Sequence, residues 1–136
     1  MEVNLEKVID FMKKKMDPDF LVLFGSQVTQ RVHPESDVDL AFYKHGHNLS
    51  AYDVFCLAGE LAAEIKQPVD LIDLKQASTV FKAQIVGKGK MIYTKDLYLY
   101  ENYQLTAISM YLNLNIERRG ILQAIQERGS VYGNRE

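Results

Sequence analysis

Two short apolar runs, each of strand length and separated by a polar segment, constrain this chain more than any other feature. The first, Phe20 to Phe24, follows Asp19 as an almost unbroken block of bulky and β-branched residues and ends at Gly25, the pattern of a buried strand stopping at a turn. Gly25 lets the backbone approach a ligand closely. Ser26 is placed to cap a short helix whose N–H groups and positive dipole end face the turn, which suits a phosphate. The second run, Asp37 to Tyr43, alternates at its start. Residues two apart in a strand share a face, so Asp37 and Asp39 project together, about 7 Å apart at Cα, while Val38, Leu40 and Phe42 turn into the core. Two carboxylates held this way repel each other in the absence of a cation. They match the hard oxygen ligands that Mg²⁺ accepts alongside water and substrate phosphates.

The rest of the chain supplies the frame. Leu5, Val8, Ile9, Met12 and Met16 recur at helical spacing with Lys13 to Lys15 near the end, favourable for the helix dipole, and Asp17-Pro18-Asp19 breaks that helix. Lys44 to Asn48 is a polar loop in which His45 and His47 lack a third ligand nearby, so a plain loop is the preferred reading, as a surface position is for His33. Ser50 with Asp53 reads as a capping box opening a helix through Val54, Leu57, Leu61 and Ile65, which ends before Pro68. A third strand, Val69 to Leu74, carries Asp70 and Asp73 on opposite faces. Asp70 is the choice to join Asp37 and Asp39, because a carboxylate buried in so apolar a strand needs a partner or ion, while Asp73 near the strand end is expected to reach water. Ala77 to Val86 reads as a short helix stopped by Gly87, and Met91 to Tyr93 as a fourth strand. Lys82, Lys88 and Lys90 are phosphate-contact candidates between which the sequence does not choose.

With 136 residues, 47% of them hydrophobic, the chain suits one domain with a real core. A formal net charge of −2 argues against a broad nucleic-acid-binding surface. The single cysteine, Cys56, has no internal partner and falls in an apolar helical pattern, as a buried structural thiol would. No leader or membrane-length apolar run is evident, so the expected location is cytoplasmic, with no membrane contact.

Taken singly, Gly25-Ser26 is a plain turn and the two aspartates a solvated strand face. Together, Gly-Ser at a strand end and Asp-x-Asp ten residues on resemble the Gly-Ser-x10-Asp-x-Asp motif of the DNA polymerase β-like nucleotidyltransferase superfamily. The small size narrows the resemblance to the minimal nucleotidyltransferases, MntA-like antitoxins paired with HEPN-domain RNase toxins. It implies an α/β fold, a small mixed sheet flanked by helices with a C-terminal helical extension, divided as a nucleotidyltransferase domain over residues 1–94 and an extension over 95–136. It also implies that Gly25 and Ser26 hold the ATP phosphates, that Asp37, Asp39 and Asp70 serve two Mg²⁺ ions, and that Asp70 assists the attacking hydroxyl. The acceptor it implies is a tyrosine of the cognate HEPN toxin, which receives AMP and is silenced. The alternatives are an antitoxin acting by binding alone, or transfer to a small molecule, for which little chain remains. Where many such proteins carry a small residue, arginine and glycine shortly after Gly-Ser, this chain has Val28, Thr29 and Gln30.

The segment from Lys95 to Gln126 contains no proline and reads as one long helix, with Gly120 a weak point. Leu97, Tyr100, Tyr103, Ala107, Met110, Tyr111 and Leu114 form a stripe that suffices to dock on the domain. Leu105, Ile108, Leu112 and Ile116 widen it beyond that need, which points to contact with a partner protein.

Overall fold

The computed structural model describes residues 4–25 and 37–127, with side chains as far as Asn115. The first helix, α1, spans Leu5–Lys15. The Asn4 side chain caps it by accepting from the Lys7 N–H at 3.2 Å, and it ends where Asp17 takes a positive φ of 52° ahead of Pro18. Then come β1 (Phe20–Phe24), β2 (Val38–Tyr43), α2 (Ala51–Ile65), β3 (Val69–Asp73), α3 (Thr79–Lys88), β4 (Lys90–Thr94) and α4 (Leu97–Glu127). The strands form one mixed sheet in the order β3-β2-β1-β4. β1 is antiparallel to both of its neighbours, and β2 is parallel to β3, a pairing that needs a crossover, which α2 supplies.

Strand alternation builds two cores. On one face Leu21, Leu23, Val38, Leu40, Phe42 and Leu71 pack with Val8 and Met12 of α1 and Leu57 and Leu61 of α2. On the other, Phe20, Val22 and Ala41 pack with Ile85 of α3 and Tyr100 of α4. The second core is aromatic at one end, where the Phe20 ring lies 5.3 Å from Tyr43, 4.9 Å from Tyr100 and 5.2 Å from Tyr103. Gln104 donates to the Val86 carbonyl at 2.7 Å and ties α4 to α3.

The capping box at Ser50 and Asp53 is present. Two helix readings change. Gly87 lies inside α3, which ends instead at Gly89. A methyl group at Gly89 would overlap the Ile85 carbonyl and the Val22 side chain, so the glycine sits where the chain must pass closest to β1. In α4, Tyr100 and Ala107 are buried, but Leu97 and Met110 are more than half exposed. Ile108, in contrast, is half-buried beside Gly87. The helix therefore packs over a narrower arc than the broad stripe proposed for it, and leaves Leu97, Tyr98, Leu105, Met110 and Leu112 exposed. Ile116 has no described side chain. Cys56 is only half-buried.

Candidate active site

The register of the sheet assembles the site. Phe24 lies opposite Asp39 across β1 and β2, and Asp39 lies opposite Asp70 across β2 and β3, so the end of β1 and the two aspartates form a line across three strands. Asp37 immediately precedes β2. Because Val38, Leu40 and Leu71 face α1 and α2, Asp39 and Asp70 project from the opposite face, the one covered further along by α3 and α4. Asp39 and Asp70 neighbour each other at the interstrand spacing of about 4.8 Å.

Gly25 has a φ of +77°, a conformation that disfavours any side chain, and a Cβ there would overlap the Asp39 carboxylate. The glycine predicted to admit a ligand thus first admits the aspartate of the next strand. Asp39 is half-buried. Burial, then the negative charges of Asp70 and Asp37, hold its carboxyl above the usual carboxylate range. Such a site favours a cation, which would relieve both costs at once.

Among the described residues no three histidine, cysteine or acidic side chains gather into a closed metal-ligating group. Of the three predicted carboxylates, the sheet register brings Asp39 and Asp70 side by side, and Asp37 lies just ahead of β2. Ser26, His33 and the stretch Val28 to Gln30 lie outside the described residues. Of the lysine candidates, Lys90 pairs with Leu23. Cross-strand partners share a face, which puts Lys90 on the side of α1 and away from Asp39.

The burial assigned to the two β3 aspartates is reversed. Asp70 is exposed. Asp73, expected to reach water, is buried, with Oδ2 2.9 Å from His47 Nε2 and both side chains 4% exposed. His47 Nδ1 accepts from the Leu49 N–H at 3.0 Å, which puts a ring proton on Nε2, close to Asp73 Oδ2 but not aligned with it as a hydrogen bond. Asp73 Oδ1 accepts from the Lys75 N–H, and Lys75 Nζ donates to the His47 carbonyl. The loop containing His47 is therefore a clamp on the far end of β3. The sequence did carry a signal for it, an aspartate in an apolar strand and a histidine in a polar loop, each in need of a partner.

Comparison with known proteins bears on the family and the fold. The protein family described as Polymerase beta, Nucleotidyltransferase matches residues 6–98. The protein adenylyltransferase MntA of Shewanella oneidensis is 29% identical over 137 residues, covering 98% of this chain and 96% of its own. Among solved structures, a toxin-antitoxin with AMP-PNP matches with a TM-score of 0.79 and 31% identity, over 91% of this chain and 99% of that one. A complex of a tri-AMPylated Shewanella oneidensis HEPN toxin with its MNT antitoxin matches with a TM-score of 0.73 and 30% identity, over 90% of this chain and 96% of that one.

Proposed function

The chain belongs to the polymerase beta nucleotidyltransferase family, and on that premise we propose that it is an antitoxin that transfers AMP from ATP to a cognate HEPN toxin and so neutralises it. The observation that carries the reading is the line of Gly25, Asp39 and Asp70 across three adjacent strands. A related antitoxin structure with AMP-PNP and another with a tri-AMPylated toxin support ATP as donor and a HEPN protein as acceptor.

In this reading Gly25 and Ser26 cradle the β- and γ-phosphates, and Asp37, Asp39 and Asp70 hold Mg²⁺. When bound, Mg²⁺ supplies neutralisation of the charge that builds at the α-phosphate. Asp70, exposed at the edge of the cluster, accepts the proton of the attacking hydroxyl. A bond forms from that oxygen to the α-phosphorus, the α–β bridging bond breaks, and pyrophosphate leaves. The reaction is placed in the cytoplasm, where ATP is at hand; among the described residues no helix is long and apolar enough to cross a membrane. We divide the chain into a catalytic unit over 1–94 and an extension over 95–136 whose exposed Leu105, Met110 and Leu112 meet the toxin.

The exposed α4 face also favours a second reading, neutralisation by binding alone. One experiment separates the two. The purified chain is incubated with a candidate HEPN partner, ATP and Mg²⁺, and the partner is weighed by intact-mass spectrometry. Added AMP units are the expected result. A stable complex of unchanged mass would leave binding alone, and AMP on a small molecule instead would displace both.

A further inference from the structure

Among the described residues β3 is the last strand on its side of the sheet, and no other strand pairs with its outer edge. Val38 donates to the Pro68 carbonyl and Leu74 to the Phe42 carbonyl. In a parallel ladder this turns the backbone groups of the even-numbered residues toward β2 and those of Val69 and Leu71 outward. Over that edge lies a groove of about 900 Å³. One wall is a stripe of α2 in which Ala51, Phe55, Ala58, Gly59 and Ala62 face the space, and the other is the start of α3 with Phe81. Asp70 lines the groove and also adjoins Asp39.

The chemistry of the groove selects its occupant. Its described lining contains two aspartates, Asp70 and the His47-paired Asp73, and no lysine or arginine. A phosphate-bearing or otherwise anionic ligand is therefore disfavoured, and a neutral or basic one is favoured. An open strand edge presents alternating N–H and C=O groups that only an extended polypeptide matches in register. β3 also has none of the lysines, prolines or bulges with which exposed edges are commonly blunted.

We propose that the β3 edge and its groove take an extended segment of the protein acceptor, which pairs with Val69 and Leu71 and delivers its receiving hydroxyl to Asp70. This rests on the transfer reading above and deepens it. The nucleotide occupies the β1 and β2 side of the carboxylates, the acceptor strand the β3 side. The hydroxyl oxygen bonds to the α-phosphorus, its proton passes to Asp70, and pyrophosphate leaves with the electrons of the broken bond.

Gly59 provides the test. It lies in α2, and a Cβ there would meet nothing within 4 Å, so Gly59→Trp fills the groove while favouring the helix. With the HEPN protein that accepts AMP from the wild type, ATP and Mg²⁺, transfer by the variant should fall on the order of 10²-fold, the scale of a misplaced reactant, while ATP affinity and the melting temperature hold. Hydrogen–deuterium exchange gives a readout independent of transfer. The Val69 and Leu71 amides should exchange more slowly when the HEPN protein is added, and Gly59→Trp should remove that protection. Wild-type transfer with an equally active Gly59→Trp overturns the groove assignment and leaves the function standing. Slowed amides without any transfer support the groove and overturn the function. Slowing by ATP alone would make the groove a base pocket, and concentration-dependent slowing in the isolated chain would make it a self-interface; either result overturns the proposal.

Discussion

Where β2 and β3 begin, Asp39 and Asp70 bring like charges side by side, whereas where β3 finishes, Asp73, three residues along the same strand, is buried 2.9 Å from His47. The closed end solves the problem of a carboxylate in an apolar strand locally, with a neighbouring histidine and the Lys75 backbone N–H. At the open end the described residues show Asp39 and Asp70 beside each other, and in the proposed function a bound cation completes the balance. One strand thus carries a structural aspartate and a chemical one, and they differ in where the partner comes from.

The sharpest way to break this contrast is at the closed end. Asp73→Ala leaves the His47 ring and the Lys75 N–H without their neighbour and should cost about 1–3 kcal/mol, the usual loss when a buried polar group is left unsatisfied, as read by urea unfolding. ATP affinity per folded molecule should be unchanged. A loss below about 1 kcal/mol would show that the clamp is not structural.

At the open end the expectation inverts. Asp39→Asn should lower transfer by on the order of 10²–10³-fold, the scale of a lost electrostatic stabiliser, with the melting temperature held or raised because like-charge repulsion is relieved. Near-normal turnover in the folded variant would remove Asp39 from the metal site. Asp70→Asn should lower the rate by roughly 10²-fold, as loss of general-base help does, and change ATP binding far less. Equal losses in both would make Asp70 a site-building residue.

Two smaller effects sharpen the contrast elsewhere. Leu112, 53% exposed on α4, should matter only with the partner present. Leu112→Glu is expected to weaken association with the HEPN protein by about 1.5–3 kcal/mol without affecting the melt of the isolated chain, as titration calorimetry and circular dichroism will show. In the aromatic core, burial first, and then Tyr43 and Asp73, push the Tyr103 hydroxyl up to about 12. The native state then keeps a proton that the unfolded chain releases near its ordinary pKa of about 10, so stability is fully present below that pH and declines as pH rises toward 12. Tyr103→Phe should flatten that decline in alkaline urea titrations.

The strands and the Asp37–Asp39 alternation were legible because a period of two over a short run has few other readings. The closeness of Gly25 to Asp39 and of Asp39 to Asp70 was not, since register is set by pairing partners that a sequence does not print. The same limit reversed Asp70 and Asp73. Both lie in the same apolar run, and only the His47 loop, which covers one end, decides which is buried. Gly87 drew attention as a helix stop because glycine is poor in helices. Gly89 ends α3 instead because β1 passes too close for any side chain. In α4 the stripe was drawn too wide, since periodicity marks apolar positions without saying how much of their arc the domain can cover.

The strand order has a consequence for how the chain is made. β1, the five-residue run Phe-Leu-Val-Leu-Phe, lies between β2 and β4, and β4 is not complete until Thr94. As the chain leaves the ribosome, α1, α2 and the first three strands can close the core on one face, while one side of β1 stays unpaired and the opposite face waits for α3 and Tyr100. For that interval the most apolar strand of the protein is an edge, the kind of segment on which nascent chains join one another. Shortening the chain before residue 94 would make the interval permanent, and the product of such a truncation should be recovered in aggregates and chaperone complexes.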